Sequence, residues 1–350
     1  MAILGGTGVV PGASTATFAE LNSLTRRAFI PRVTVQIYFS TPTLMLLMGN
    51  AQRSAGGLNQ ITGPVQGTSM VQGAWTGYSG SFNKPQVIPG VQNFAFNTAY
   101  FTVPVPLVLG EALIQSTEAV VPILDVRMND VYAVTAQQMG SAIFTNNTNN
   151  PLMPSSFIDG FDNGTTVATY GGINRNVASN NFWQGQFYNS GTASAISTRQ
   201  SAAQFLIQIT DVAGGEAPDF VVMSPSDFAT LNSNFIATNS GNTPVETVFV
   251  DAGKEYSMDS PIRSAFPNIF IAGVPFYMDH WCPKGTVFFV NSKYTAMYMS
   301  EDAPFAFSGF YSAIPLMQIA QVGVMIVGYQ VVTTKPVANA IVSGITSGAF

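Results

Sequence analysis

Residues 56–108 hold extended segments that glycine and proline interrupt repeatedly, and this pattern limits the folds open to the chain. The stretches GGLNQITGPVQ, SMVQGAWTGYSG and VQNFAFNTAYFTVPV predict strands, because in the last of them side chains at every second position alternate between two faces. We therefore predict a long hairpin-like arm. A two-stranded ribbon is only marginally stable in water. The arm must pack on another surface, and a neighbouring copy of the chain is the simplest one.

The composition favours a chain that buries much of its surface in an assembly. Only 9% of the 350 residues are charged, against about 25% in ordinary soluble domains. A monomer in contact with solvent on all sides usually carries more charge. Interface cores are depleted in charged residues and enriched in aromatic residues and methionine, and this chain has 26 Phe, 12 Tyr and 14 Met. We therefore predict a large assembly.

The net charge of −5 argues against tight binding of nucleic acid, since neutralising phosphates requires clustered Lys and Arg. One basic cluster is visible, formed by Arg26, Arg27 and Arg32. It is interpreted as a solvated helix face, with a patch facing nucleic acid as the alternative.

Neither an export route nor a membrane partner is predicted. The single cysteine, Cys282, rules out an internal disulfide and fits a reducing compartment. The first residues, MAILGGTGVVPG, do not resemble a signal peptide. The most apolar window, residues 313–332, is interrupted by glutamine and glycine, so it predicts a buried strand and not a membrane span.

Periodicity and capping residues predict a mixed α+β fold. The box Thr17-Phe-Ala-Glu20 begins a short helix over 18–30, and Pro122 lies at the first turn of a long helix that ends near residue 145. Residues 198–277 predict alternating helices and strands, with helices at RQSAAQFLIQITDVAGG and after Ser224, and strands at DFVVMS, VETVFVD and NIFIAGVPFYMD. The part of the sequence after residue 277 predicts mainly strands.

No pattern predicts catalysis or a cofactor site. The glycines of GGTG and GGINR lack the context of a nucleotide-binding loop. Asp279, His280 and Cys282 form the one constellation capable of nucleophilic or zinc chemistry, but successive side chains on a strand point to opposite faces. We predict no enzyme, no metal and no cofactor; a soluble hydrolase that uses His280 and Cys282 is the alternative of a different class.

Several stretches in a fixed order resemble one family across essentially the whole chain. They are LNSLTRRAFIPRV, GGLNQITGPVQ, DGFDNGTTVATYGGINRNVASNNFW, PDFVVMSPSDF and VVTTKPVANAIVSGI. In this order the chain resembles the major capsid proteins of tailed bacteriophages, which have the Hong Kong ninety-seven-type coat fold.

The resemblance implies a division of the chain. Residues 1–55 would be the N-terminal arm and helix, and 56–108 the extended loop that reaches over the adjacent subunit. The peripheral domain, with a long spine helix, would comprise 109–180 and 291–335. The α/β axial domain would comprise 181–290 and 336–350. GGINRNVASNNFW would then connect the two domains, with Trp183 as its anchor.

The resemblance also implies contacts and partners. Arg26, Arg27 and Arg32 would lie on the arm or the inner face of the shell, and the candidates for contacts between subunits are Trp75, Tyr78, Phe82, Lys84, Phe94, Phe96 and Tyr100. The chain would assemble in the bacterial cytoplasm as hexamers and pentamers, with scaffolding and portal proteins and with or without a cement protein.

The implied product is an icosahedral virion shell that encloses double-stranded DNA without sequence-specific binding. Some relatives crosslink through a lysine on the extended loop. Lys84 is the one lysine in 56–108, so it would be either that crosslinking residue or an ordinary solvated side chain. An encapsulin, a cellular compartment with the same fold and protein cargo, is the alternative.

Overall fold

The computed structural model describes residues 41–54, 60–70, 75–78, 80, 90–108, 123–189, 199–237, 268–301, 303–312 and 320–345. The predicted helix over 18–30 and the predicted strand VETVFVD lie outside these residues, as do Arg26, Arg27, Arg32, Phe82 and Lys84.

Helices and strands alternate irregularly along the described residues. The α-helices are α1 (Pro42–Gly49), α2 (Ile123–Ile143), α3 (Phe157–Phe161), α4 (Arg199–Val212) and α5 (Pro225–Ala237). The strands before residue 190 are β1 (Gln52–Ser54), β2 (Gln60–Gln66), β3 (Val91–Asn97), β4 (Ala99–Val108), β5 (Thr169–Tyr170), β6 (Ile173–Asn174) and β7 (Gln186–Asn189). The later strands are β8 (Phe220–Met223), β9 (Asn268–Ile271), β10 (Val274–Met278), β11 (Thr286–Val290), β12 (Thr295–Ser300), β13 (Ala306–Ser312), β14 (Ala320–Thr333) and β15 (Ala340–Ser343).

The three main helices were predicted from the sequence and are confirmed. Helix α2 begins directly after Pro122, and its 21 residues extend about 32 Å at 1.5 Å per residue. Helix α5 begins at Pro225, as proline at the first helical position predicts. Within the described residues, no helix is both long and apolar enough to span a bilayer.

A five-stranded sheet is organised around the long strand β14. Along one side β14 pairs antiparallel with β4 over ten residues, and along the other it pairs with β13 and β12. Strand β1 adds to β12 in parallel. Helix α2 packs against β4, where Val131 of the helix is buried with Val105 and Met325 of the sheet.

A six-stranded sheet has the strand order β7-β15-β11-β8-β10-β9. Helices α4 and α5 bury Leu206, Ile209 and Leu231 against it. Strand β15 lies between β7 and β11, so residues 340–343 insert into the sheet next to its edge strand β7. The predicted strand NIFIAGVPFYMD is instead the hairpin β9–β10, which turns at Ala272 and Gly273 with φ of 52° and 81°.

The two sheets share one apolar core. Phe157 and Phe161 of α3 stack with ring centroids 4.9 Å apart, and Phe288 of the six-stranded sheet lies 5.9 Å from Phe157. Met297 and Val331 of the five-stranded sheet belong to the same cluster. The sheets are therefore joined by contiguous packing.

The prediction that all of 56–108 forms an extended loop is corrected for residues 99–108. These residues form β4 and are hydrogen-bonded to β14, from Ala99 opposite Tyr329 to Val108 opposite Ala320. The described part of the arm is therefore the antiparallel pair β2–β3, which we call the ribbon, together with residues 67–70, 75–78, 80 and 90 between its strands.

Candidate functional site: the ribbon and the segment beneath it

The ribbon lies on its own chain at its root. Phe94 and Phe96, near the end of β3, are 6% and 5% exposed. The ring of Phe94 stacks on Trp183 with centroids 5.8 Å apart, and Phe96 meets Tyr170 at 4.7 Å. The apolar face of the ribbon is therefore covered within one chain.

This placement corrects the expectation that Phe94 and Phe96 contact a neighbouring subunit. The alternation of side chains along β3 correctly predicts that the two rings share a face. That face, however, is buried against residues 169–183, and little of either ring remains exposed. Tyr100, which follows in β4, is half exposed.

Residues 169–183, which we call the junction segment, turn sharply beneath the ribbon. Strands β5 and β6 are joined by Gly171 and Gly172, whose φ values of +57° and +81° are suited to glycine. The Gly171 carbonyl oxygen accepts a 2.9 Å hydrogen bond from the amide of Ala95. A Cβ at Gly171 would lie 2.6 Å from the Phe96 ring. This glycine therefore allows the ribbon to approach closely.

Arg175 is the centre of the junction segment and is fully buried. Its Nε donates to the Trp183 carbonyl oxygen at 2.9 Å, and its two terminal nitrogens donate to the carbonyl oxygens of Asp159 and Gly160, each at 2.7 Å. The guanidinium carbon also lies 4.6 Å from the centroid of the Tyr170 ring. One side chain therefore ties α3 to both ends of the junction segment.

The charge of Arg175 is compensated without a direct salt bridge to a carboxylate among the described contacts. Burial lowers the pKa of Arg175, while electrostatic interactions with Tyr170, Asp162 and Asp159 act in the opposite direction. Asp162 is itself held by the amides of Gly164, Thr166 and Val167, which donate to its Oδ2. Hydrogen bonds to backbone carbonyls and nearby negative charge together make the buried cation tolerable.

Trp183 and Tyr170 extend this network to the five-stranded sheet. The indole nitrogen of Trp183, a residue only 1% exposed, donates to the Tyr170 carbonyl oxygen at 2.9 Å. The Tyr170 hydroxyl accepts from the amide of Thr333 at 2.9 Å. Burial raises the pKa of Tyr170 to about 12, so this hydroxyl stays protonated at neutral pH. The junction segment beneath the ribbon is thereby hydrogen-bonded to β14.

The far end of the ribbon differs from its root. Trp75 and Tyr78 are completely exposed, with relative exposures of 106% and 111%, and Met70 is 44% exposed. Burying one such aromatic side chain is worth about 1.5–3 kcal/mol. We call Trp75 and Tyr78 the aromatic tip.

Sequence reasoning missed Tyr170, Gly171 and Arg175 as determinants of the ribbon's position. The pair Gly171-Gly172 was the available indication of a tight turn. The capping box of α3, in which Ser156 and Asp159 bond each other's backbone amides, was also visible as Ser-x-x-Asp. No local pattern marks Arg175 as buried.

The constellation at 279–282 serves local structure. Asp279 Oδ2 accepts from the amide of Thr43 in the first turn of α1, and Oδ1 accepts from the amide of Trp281. His280 is exposed, whereas Cys282 is buried, and burial raises the pKa of its thiol. These two side chains therefore lie in different environments, one at the surface and one in the core. Within the described residues, no group of three or more His, Cys, Asp or Glu side chains is placed to hold a metal ion.

Comparison with known proteins gives a fold but no close relative. No protein-family model matches the sequence, and no curated protein matches it. Among solved structures, the capsid of cyanophage A-1(L) superposes with a TM-score of 0.69 at 13% identity, over 95% of this chain and 100% of that one.

Two further structures match over similar lengths. The capsid of a native GTA particle matches at a TM-score of 0.58 and 10% identity, over 95% of this chain and 99% of that one. The SrpI encapsulin of Synechococcus elongatus PCC 7942 matches at 0.57 and 11%, over 95% and 98%. The chain therefore has the α+β fold of these shell proteins, as the sequence predicted.

Proposed function

We propose that this chain is a major capsid protein, which assembles as hexamers and pentamers into the icosahedral shell around a double-stranded DNA phage genome. The observation that carries the proposal is the match of 95% of the chain to a cyanophage capsid subunit at a TM-score of 0.69.

Two properties of the chain itself support the proposal. The aromatic tip is fully exposed in a single copy, and contiguous exposed apolar groups are typical of interaction sites. The low content of charged residues, 9%, suits a chain whose surface is covered by other copies.

Each of the two proposed domains would be built on one of the two sheets. Residues 109–180 and 291–335, with α2 as the spine, would form the peripheral domain, and β1 and β4 would add two strands to its five-stranded sheet. The six-stranded sheet with α4 and α5 would form the axial domain, from 181–290 and 336–350, around the centre of each hexamer or pentamer. The ribbon would reach from the peripheral domain over the next subunit.

The proposed role is structural and not enzymatic. The shell would form in the host cytoplasm with scaffolding and portal proteins, could carry a cement protein, and would become the capsid of the virion. With a net charge of −5, the chain would enclose DNA without holding it tightly.

An encapsulin-like compartment is the second candidate, because the SrpI encapsulin matches over 95% of the chain. It predicts shells that contain a protein cargo and no packaged genome.

The test is expression of the full chain, alone and with the products of neighbouring genes, followed by negative-stain microscopy and sedimentation. Closed shells of uniform diameter support the proposal. A monomer that persists at high concentration under both conditions contradicts it. Nuclease-resistant DNA in particles purified from the native source distinguishes a phage capsid from an encapsulin.

A further inference from the structure

Asn163-Gly164 is the one Asn-Gly pair in the sequence. An asparagine followed by glycine is prone to spontaneous deamidation, because glycine has no side chain to hinder attack by its own backbone nitrogen. Hydroxide first takes the proton of the glycine amide, and the nitrogen then attacks the asparagine Cγ. A C–N bond forms and ammonia leaves. Water opens the resulting cyclic imide to aspartate or isoaspartate.

The fold places this pair in a turn between α3 and β5. Gly164 has a φ of +98°, and a Cβ there would lie 2.6 Å from Asn176 Oδ1, so both backbone conformation and space favour glycine. Asn163 Oδ1 accepts hydrogen bonds from the amide of Thr165 at 3.1 Å and from its hydroxyl at 2.6 Å. Asparagine side chains commonly stabilise turns in this way. The turn therefore depends on two residues that together are chemically labile.

Asp162 holds the nitrogen that would attack. Its Oδ2 accepts a hydrogen bond of 2.8 Å from the Gly164 amide, and bonds of 3.0 and 2.9 Å from the amides of Thr166 and Val167. Asp162 and Gly164 are both buried. A hydrogen bond to a carboxylate is stronger than one between neutral groups. Deprotonating the Gly164 amide would break this bond and place a second negative charge against the carboxylate.

We propose that Asn163 is a deamidation site of this chain, and that Asp162 Oδ2 limits the rate by retaining the proton of the Gly164 amide. The inference does not depend on the proposed function. A Cβ at Gly164 would lie 3.2 Å from Arg175 Cβ, so the turn packs beside the buried guanidinium network. Isoaspartate would lengthen the main chain by one carbon at this point. Asp162 therefore protects the support beneath the ribbon from chemical ageing.

The test compares deamidation at Asn163 in the folded wild-type subunit and in the same chain unfolded in guanidinium chloride. Mass spectrometry of the peptide that contains residue 163 follows the conversion of amide to carboxylate, and Asn163→Ser identifies the signal by abolishing it. The folded chain is expected to react at least about tenfold more slowly, as the loss of one hydrogen bond to a charged group implies. Equal rates overturn the proposal, and so does an unfolded chain that does not react at Asn163.

Two variants distinguish retention of the amide proton from general rigidity of the turn. Asp162→Asn keeps an acceptor oxygen but removes the charge, and it is expected to speed deamidation of the folded chain about tenfold. Thr165→Val removes the hydroxyl bound to Asn163 Oδ1, at an exposed position, and leaves the bond to the Gly164 amide in place. Its rate should stay within about twofold of the wild type. Equal acceleration in the two variants overturns the proposal.

The matched control is Asp219→Asn, which alters another carboxylate that accepts a backbone amide hydrogen bond. Asp219 precedes β8 in the six-stranded sheet, so its replacement is expected to leave the rate at Asn163 unchanged. Acceleration equal to that of Asp162→Asn contradicts a specific role for Asp162.

Hydrogen exchange of the wild type gives a second measurement if Asp162→Asn does not fold. Base-catalysed exchange of an amide also begins with loss of its proton. The Gly164 amide should therefore exchange more slowly than the Thr165 amide, which is bonded to the neutral side chain of Asn163. Exchange at Gly164 as fast as at Thr165 overturns the proposal.

Discussion

Arg175 and Trp183 are joined by a hydrogen bond of 2.9 Å from the guanidinium Nε to the backbone carbonyl oxygen of the tryptophan. The same guanidinium binds the carbonyl oxygens of Asp159 and Gly160, and the Trp183 ring stacks on Phe94 of the ribbon. The position of the ribbon root thus depends on one buried cation and the three carbonyl groups around it.

Replacing Arg175 with methionine is expected to lower the free energy of unfolding by at least about 3 kcal/mol. Three buried carbonyl oxygens would lose their partner, and each unsatisfied buried group costs about 1–3 kcal/mol. Urea unfolding of the unassembled subunit measures the change. Arg53→Met, at an exposed position in β1, is the control and should change stability by no more than about 0.5 kcal/mol. Equal midpoints for the two variants would show that the Arg175 network contributes nothing.

Comparing Gly171→Ala with Gly172→Ala distinguishes the stability cost of backbone strain from the cost of crowding the ribbon. Both glycines have positive φ, so either substitution is expected to cost about 1–2 kcal/mol. A Cβ at Gly172 meets nothing within 4 Å, whereas one at Gly171 lies 2.6 Å from the Phe96 ring. Gly171→Ala should therefore cost a further ~1–3 kcal/mol. It should also speed hydrogen exchange at the Ala95 amide, which bonds to Gly171. Identical stability and exchange in the two variants would contradict the observed packing.

The ionisation of Asp159 makes stability depend on pH in a predictable direction. Burial raises the pKa of Asp159 above 3.8 in the folded chain, with hydrogen bonds from Ser156 opposing the effect in part. The folded state then binds the proton more tightly than the unfolded state. The stabilisation is fully present below pH 3.8 and is lost as pH rises through the raised pKa. The free energy of unfolding of the wild type, measured relative to that of Asp159→Asn, should therefore fall as pH rises through the raised pKa of Asp159.

Glu216 provides the opposite case for comparison. Hydrogen bonds from Tyr294 and Lys293 lower the pKa of Glu216 below 4.5. Its stabilisation is present above pH 4.5 and is lost as pH falls, so the difference between the wild type and Glu216→Gln should change in the opposite sense. Denaturant titrations at a series of pH values measure both slopes, and slopes of the same sign would refute the assignment.

Removing the aromatic tip is expected to affect assembly and not folding. Trp75 and Tyr78 are fully exposed in the single chain, so Trp75→Ala/Tyr78→Ala should leave the unfolding midpoint of the subunit within about 0.5 kcal/mol of the wild type. Each subunit would lose the ~1.5–3 kcal/mol gained by burying each ring in the shell, and sedimentation should show fewer shells and more free subunits. Leu152→Ala removes another exposed apolar side chain, outside the ribbon, and its isolated subunit serves as the control for folding. Normal shell yield without both rings would exclude the tip from assembly.

Local sequence determined the helices α2, α4 and α5 and several individual β-strands. Proline at the first turn, capping residues and helical periodicity predicted α2, α4 and α5, because each depends on residues a few positions apart. The low charge and the broken extended segments likewise led to the prediction of an assembly, which is part of the proposed function, whereas the root of the ribbon packs on its own chain. Alternation along β3 predicted that Phe94 and Phe96 share a face.

The tertiary structure alone decided what each face meets. Strand β4 pairs with β14, more than 200 residues later in the chain, and so belongs to a sheet instead of the ribbon. Phe94 and Phe96 pack on Tyr170 and Trp183 of the same chain. Arg175 is buried because carbonyl groups from α3 and from Trp183 converge on it. Periodicity reports the face on which a side chain lies, but the surface covering that face depends on contacts between residues distant in sequence, which no local pattern encodes.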